Sequence, residues 1–304
     1  MSRRMKIWLT FAVFLAIIVL FGVLFHGHQN NSYQPQNEFK LDDWVKIKLG
    51  SLDLSITKAV LYLFLAAAAT VGTMVYVARR MTERPNRVQT AVEGIYGLMH
   101  ENITGPNNID RKMAAKWFPF IGSLFLFIWY SNLIGYIPLP TDTEYEFNLF
   151  GLHIPGFAIY AATANISVTL ALTLLVVISY HVEGVRHKGL VRYLKGWLPG
   201  GLDNVPMRWL LIPGIFAIEV ISQFVRIISL SVRLFANVLA GHLLILFMGG
   251  GLVVLLGLAA LGVLTFPIAV VFFLFEIVLI ATLQAFIFAT LTAIYLGGAV
   301  AESH

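Results

Sequence analysis

The chain has 304 residues, 58% of them hydrophobic and only 12% charged, with a mean hydropathy of +0.80. A soluble domain carries roughly a quarter charged residues; half that share, with several apolar runs of about 20 residues, excludes a soluble globule and makes the chain an all-α, polytopic membrane protein. The net charge of +5 comes from Lys and Arg grouped in short loops, which argues against a nucleic-acid partner, and the absence of cysteine removes disulfides, thiolate metal sites and Cys nucleophiles.

In chain order, an apolar run covers residues 7–25 behind Arg3, Arg4 and Lys6. Its basic start is that of a signal peptide, but its length and the lack of a small-x-small cleavage site read better as a retained signal-anchor. With the polar stretch that follows it forms an N-terminal segment, residues 1–55, expected on the outer side after the first crossing. Residues 56–304 form one membrane domain. Its spans are expected near 56–78, 117–137 and 157–180, followed by two longer stretches, 205–248 and 252–296, separated by Gly249, Gly250 and Gly251. A helix of about 44 residues is about 66 Å long, against a hydrocarbon core of about 30 Å. Pro213 and Gly214 are the breakers in the first of these stretches, and nothing breaks it around Arg233. The pair is therefore expected as two long, strongly tilted, antiparallel helices. Between the second and third spans, Val88, Val92, Ile95 and Met99 recur at helical spacing, while Gln89, Glu93 and Asn102 are polar. That pattern predicts an amphipathic helix lying on the membrane surface or packed on protein.

Lys and Arg set the orientation. They crowd residues 79–116 and 181–208, which are expected on the cytoplasmic side, and are missing from residues 138–155, which are expected outside. Both termini are then cytoplasmic.

The apolar helices carry polar residues that lipid alone would reject. Glu219, Arg226 and Arg233 are seven residues apart each time, close to two turns, so they line one stripe. Ser229 and Asn237 lie one turn before and after Arg233 on the same side. His242 is nine residues on, about 900° of rotation, and faces away from Arg233 on a straight helix. Glu276 and Gln284 sit on the last stretch, where an antiparallel hairpin would bring them near His242 and Arg233. A guanidinium cannot be deprotonated in a protein, and at membrane depth it costs about 3 kcal/mol on insertion scales. Acids and a histidine on either side of such a fixed cation are what an ion path needs: carboxylates and imidazole relay protons, and Arg cannot. A structural ion pair such as Glu219 with Arg226 is the other reading of part of this set.

At this point the residues match a family. The segment from Ser229 through Arg233 and Asn237 to His242, the segment from Gln284 to Tyr295, and Ser131-Asn132-Leu-Ile-Gly-Tyr-Ile-Pro138 closely resemble subunit a of F-type ATP synthases. The resemblance covers residues 56 to the C-terminus. It implies a stator subunit, not catalytic by itself, beside a rotating c-ring and held by peripheral-stalk b subunits in a bacterial cell membrane. Arg233 falls on the family's essential arginine, facing the ring carboxylate. Glu219, Asn237, His242 and Gln284 fall on positions that line or flank two aqueous half-channels for H⁺, with Glu276, Arg226, Ser229 and Asn132 beside them. No cofactor or metal is implied. The chain departs from the common pattern in three places. Gly135 stands where some members have an acid, and Ala236 replaces a frequent glycine. Glu276 is eight residues before Gln284, whereas the usual polar residue is seven before it, and one residue turns an α-helix by about 100°. Glu276 can partner His242 only if the helix is locally irregular.

An independent secondary ion transporter is the alternative reading of the same residues. Such proteins show internal repeats and broken helices, and no repeat is visible. An intramembrane enzyme would need a nucleophile with its base or a ligand set, and neither HExxH nor GxSxG occurs.

Overall fold

The computed structural model describes residues 43–45, 48–49, 52–53, 55–82, 84–107, 111–137, 147–149, 152–154, 161–198, 208–248 and 259–301. The first apolar run and the triple glycine lie outside the described residues. The helices are α1 (Lys58–Arg80), α2 (Arg87–Asn107), α3 (Arg111–Gly135), α4 (Ile166–Lys188), α5 (Leu190–Lys195), α6 (Arg208–Leu246), α7 (Ala259–Phe275) and α8 (Ala281–Val300). A π-helical segment, Glu276–Ile280, joins α7 to α8 without a break. Five helical stretches are long and apolar enough to cross a membrane: Ala59–Arg80, Ala115–Gly135, Ile166–Lys188, Leu211–Leu246 and Thr265–Val300. The last two hold 36 residues each, roughly 54 Å of helix, well beyond the hydrocarbon thickness. Within the described residues, each of the two long apolar stretches is thus continuous helix instead of two short spans. Pro213 lies inside α6 without ending it, as proline can in membrane helices.

The fourth span begins later and ends later than its apolar run. The Asn165 side chain accepts a hydrogen bond from the Ser167 N–H at 2.8 Å and caps α4 there. Gly189, with φ of 77°, ends it. His181 and His187, expected in a basic loop, therefore lie in the last two turns of α4.

The chain divides into two compact units. The helical unit comprises residues 59–135, 161–236 and 281–304; the hairpin unit comprises residues 1–58, 136–160 and 237–280. The division falls within α6, after Ala236.

In the helical unit, α8 packs against α2, α3 and α4. Ile121, Ile128, Val176, Leu234 and Phe288 are fully buried at its centre. In lipid, apolar side chains gain little from meeting each other instead of acyl chains, so close packing and interhelical hydrogen bonds must hold the bundle. Both are present. Ala281, Ala285, Ala289 and Ala293 form a buried stripe of small residues at four-residue spacing, which lets neighbouring backbones approach. Thr73 and Tyr130 hydroxyls meet at 2.7 Å, and the Trp129 indole N–H donates to Thr282 Oγ1 at 3.1 Å.

The expected amphipathic helix forms as α2, with one inversion. Gln89 is buried and Val88 is exposed. The Gln89 amide donates to the Thr82 carbonyl at 3.0 Å and to Glu93 Oε1 at 2.7 Å, while Asn86 Oδ1 accepts from the Gln89 N–H at 2.8 Å. Closing the preceding turn outweighs the apolar periodicity at this position.

The hairpin unit holds three two-stranded antiparallel pairs: Asp43–Val45 with Ile56–Thr57, Lys48–Leu49 with Leu52–Asp53, and Phe147–Leu149 with Leu152–Ile154. It also holds the C-terminal end of α6, α7 and the π-helical segment.

Candidate functional site

The hairpin unit contains the first polar cluster. Glu276 opens the π-helical segment. A π-turn houses one residue more than a regular turn over about the same rotation. This is the local irregularity that the one-residue offset between Glu276 and Gln284 required. Glu276 is 9% exposed, and Tyr136, the residue after the end of α3, is 4% exposed. The Tyr136 hydroxyl donates to Glu276 Oε2 at 3.0 Å. The Tyr136 ring lies 4.6 Å from the His242 imidazole. His242 Nδ1 is 2.9 Å from the Val238 carbonyl oxygen, which can only accept, so Nδ1 carries the hydrogen. A Cβ on Gly241 would overlap the Glu276 carboxylate, so a side chain there would displace that carboxylate. Glu276 and His242 are thus brought into one site with Tyr136 between them.

The helical unit contains the second. The Tyr180 hydroxyl donates to Gln223 Oε1 at 2.6 Å, and Gln223 Nε2 donates to Glu219 Oε1 at 2.8 Å. Arg226 Nη2 is 3.7 Å from the same carboxylate oxygen, and its guanidinium lies over the Tyr295 ring at 5.3 Å. The pairing of Glu219 with Arg226 that their spacing allowed is therefore formed, within a larger network. His181 continues it: its ring is 4.4 Å from that of Tyr180, and its Nδ1 is 2.7 Å from the Tyr193 hydroxyl. Burial pushes the Tyr193 phenol above its ordinary range, so its proton stays in place. Gly184 makes room for that ring, since a Cβ on it would overlap Tyr193.

Arg233, Ser229, Gln284, Asn237 and Asn132 have other surroundings. Arg233 is exposed, and its Nη2 reaches Ser229 Oγ, also exposed, at 3.5 Å. Around it on α6, Ile218, Ile221, Val225, Ile228 and Val232 are exposed as well. Gln284, by contrast, is 2% exposed inside the bundle. Asn237 is exposed. Asn132 is wholly buried and acts as a strut: its amide donates to the Ala281 carbonyl at 3.3 Å and accepts from the Thr163 hydroxyl at 2.7 Å. Gly135 has no room for a side chain, because a Cβ there would overlap Ala161.

Sequence reasoning missed Tyr136, Tyr180, Gln223 and Tyr295 as members of these clusters. Gln223 carried a usable signal, lying four residues after Glu219 on the same helix face. Tyr136 and Tyr295 stood in the segments that carry the resemblance, but nothing local gave them or Tyr180 their partners, which are far away in sequence. Among the described residues no group of three His, Cys, Asp or Glu side chains is placed to hold a metal ion.

Membrane-length helices with ionisable side chains arranged in hydrogen-bonded networks define a multi-pass membrane protein whose polar residues are built into its spans. Residues 60–297 match the family described as ATP synthase A chain. The protein named ATP synthase subunit a of Rubrobacter xylanophilus is 36% identical over 254 residues, 83% of this chain and 88% of that one. Its namesakes from Hyphomonas neptunium and Parvibaculum lavamentivorans are 31% and 33% identical, each over 89% of this chain and 97% and 94% of theirs. The chain belongs to the ATP synthase A chain family.

Proposed function

We propose that this protein is the proton-translocating stator subunit of an F-type ATP synthase, offering two half-channels to the carboxylates of a c-ring and keeping them apart with Arg233. The observation that carries the proposal is the setting of Arg233. A permanent cation is exposed on an apolar face of a membrane-length helix, and among the described residues no carboxylate pairs with it. Leaving such a charge facing hydrocarbon is costly, so its counter-charge comes from another chain. A ring of helices, each bearing one acid, supplies that charge transiently. An acid cannot enter lipid ionised, so protonation gates each step of rotation.

The Glu219 network serves one half-channel and the Tyr136–His242–Glu276 cluster the other, with Asn237 and Gln284 flanking Arg233. Imidazole and carboxyl groups relay protons, which favours H⁺ over Na⁺ as the transported ion. Each proton crossing 100 mV releases about 2.3 kcal/mol. The long α6 and the helix running from α7 through α8 lie tilted against the ring, peripheral-stalk b subunits hold the chain still, and the cell membrane of a bacterium is its location, with the C-terminus in the cytoplasm. On this reading residues 56–304 make up the membrane domain, with residues 1–55 as its N-terminal segment.

The chain has no cysteine, which makes a clean test available. Ile228→Cys on the exposed face should form a disulfide with a cysteine placed near the ring acid under mild oxidation. A chain that co-purifies with the ring yet never cross-links from this face would overturn the arrangement.

A further inference from the structure

We propose that Tyr136 is a positioning residue for proton transfer at Glu276. The inference rests on the half-channel reading and adds a residue to it. Three observations converge on the same few ångströms. The Tyr136 hydroxyl donates to Glu276 Oε2 at 3.0 Å, and both residues are buried. The Tyr136 ring is wedged between the His242 imidazole at 4.6 Å and the edge of Phe273 at 6.4 Å, which fixes where the hydroxyl points. The Glu276 carboxylate occupies the space that a side chain on Gly241 would fill, one residue from His242.

The consequences are specific to atoms. A carboxyl on a flexible stem has two oxygens that can exchange roles, and a hydrogen bond from a locked phenol removes that freedom. With Oε2 held by Tyr136, Oε1 is the oxygen that takes up and releases the proton. On the imidazole, Nδ1 is committed to the Val238 carbonyl, so Nε2 is the nitrogen that exchanges. Tyr136 keeps its own proton throughout and acts through Glu276.

The test is a double-mutant cycle on the intact complex in inverted membrane vesicles, read as the rate of ATP-driven acidification. Tyr136→Phe retains the ring and removes the hydroxyl. It should assemble and slow pumping about threefold to tenfold, the range of one hydrogen bond. Glu276→Asp draws the carboxyl back from the hydroxyl by one methylene. In that background, adding Tyr136→Phe should cost less than about twofold, because the two changes act on one contact. An equal loss in both backgrounds would mean that Tyr136 acts elsewhere, and no loss in either would mean that its hydroxyl does nothing. Both results overturn the assignment. If Tyr136→Phe does not assemble, fluorotyrosine at position 136 asks the same question with a nearly isosteric and more acidic hydroxyl. A changed rate that disappears with Glu276→Asp supports the pairing, and an unchanged rate refutes it. Arg233→Ala in the same vesicles separates the two levels. If it still pumps, the half-channel reading falls and takes this assignment with it. If it stops pumping while Tyr136→Phe is silent, only the assignment to Tyr136 falls.

Discussion

The clusters around Glu219 and Glu276 each keep a carboxylate among apolar helices, and they do so with different partners. Glu219 stays partly exposed on a regular helix, with a guanidinium at 3.7 Å and an amide at 2.8 Å. Glu276 is buried on a distorted helix, held by a neutral phenol, with its carboxylate filling the space beside a glycine. The first has several polar neighbours, Gln223 and Arg226 among them. The second has one hydrogen bond, no described cation partner and no spare space. Tolerance to substitution should differ accordingly. A loosely solvated network can replace a lost bond with water, whereas a close-fitting buried one cannot.

The sharpest break of this comparison is at Gly241. Gly241→Val puts two methyl groups where the Glu276 carboxylate lies, and ATP-driven acidification should fall at least about tenfold, as expected when a buried site is overfilled by more than about 1.4 kcal/mol. Asn132→Leu comes next and separates structure from transport. It leaves the Thr163 hydroxyl without its acceptor and removes the hydrogen bond to the Ala281 carbonyl, which should destabilise the assembled protein by about 2 kcal/mol, read as a lower unfolding temperature in detergent. Gln223→Leu cuts the link from Tyr180 to Glu219. Because water can substitute there, pumping should slow only about twofold to fivefold; a complete loss would show that the two clusters are equally exacting. The smallest effect is expected at Lys116→Ala. The Lys116–Glu183 pair is short, 2.6 Å, but the lysine is 64% exposed, so stability should change by less than about 1 kcal/mol and pumping not at all.

The same contrast explains what could be read from the chain before its fold. Glu219, Arg226 and Arg233 announced themselves because seven-residue spacing on one helix is a local property. The long unbroken helices were legible from length and from the scarcity of breakers. Glu276 was found as a polar residue in an apolar run, and its offset from Gln284 even required a helix irregularity. Nothing local said that Tyr136 would supply its hydrogen bond, because those residues are 140 positions apart. The ends of α4 were misplaced because an Asn cap and a glycine stop override where an apolar run begins and ends. The burial of Gln89 was not legible because periodicity cannot see a turn that needs an amide to close it.

On the proposed reading both clusters serve transport only if something keeps them from joining, and Arg233 is the residue proposed for that role. The most direct measurement is ATP-driven acidification of inverted vesicles carrying Arg233→Ala or Arg233→Lys, with assembly verified by co-purification of the ring. The account predicts that both variants assemble and that neither pumps or supports ATP synthesis, since lysine lacks the planar fork and can lose its charge when desolvated. Pumping at the wild-type rate by an assembled Arg233→Ala complex would contradict it.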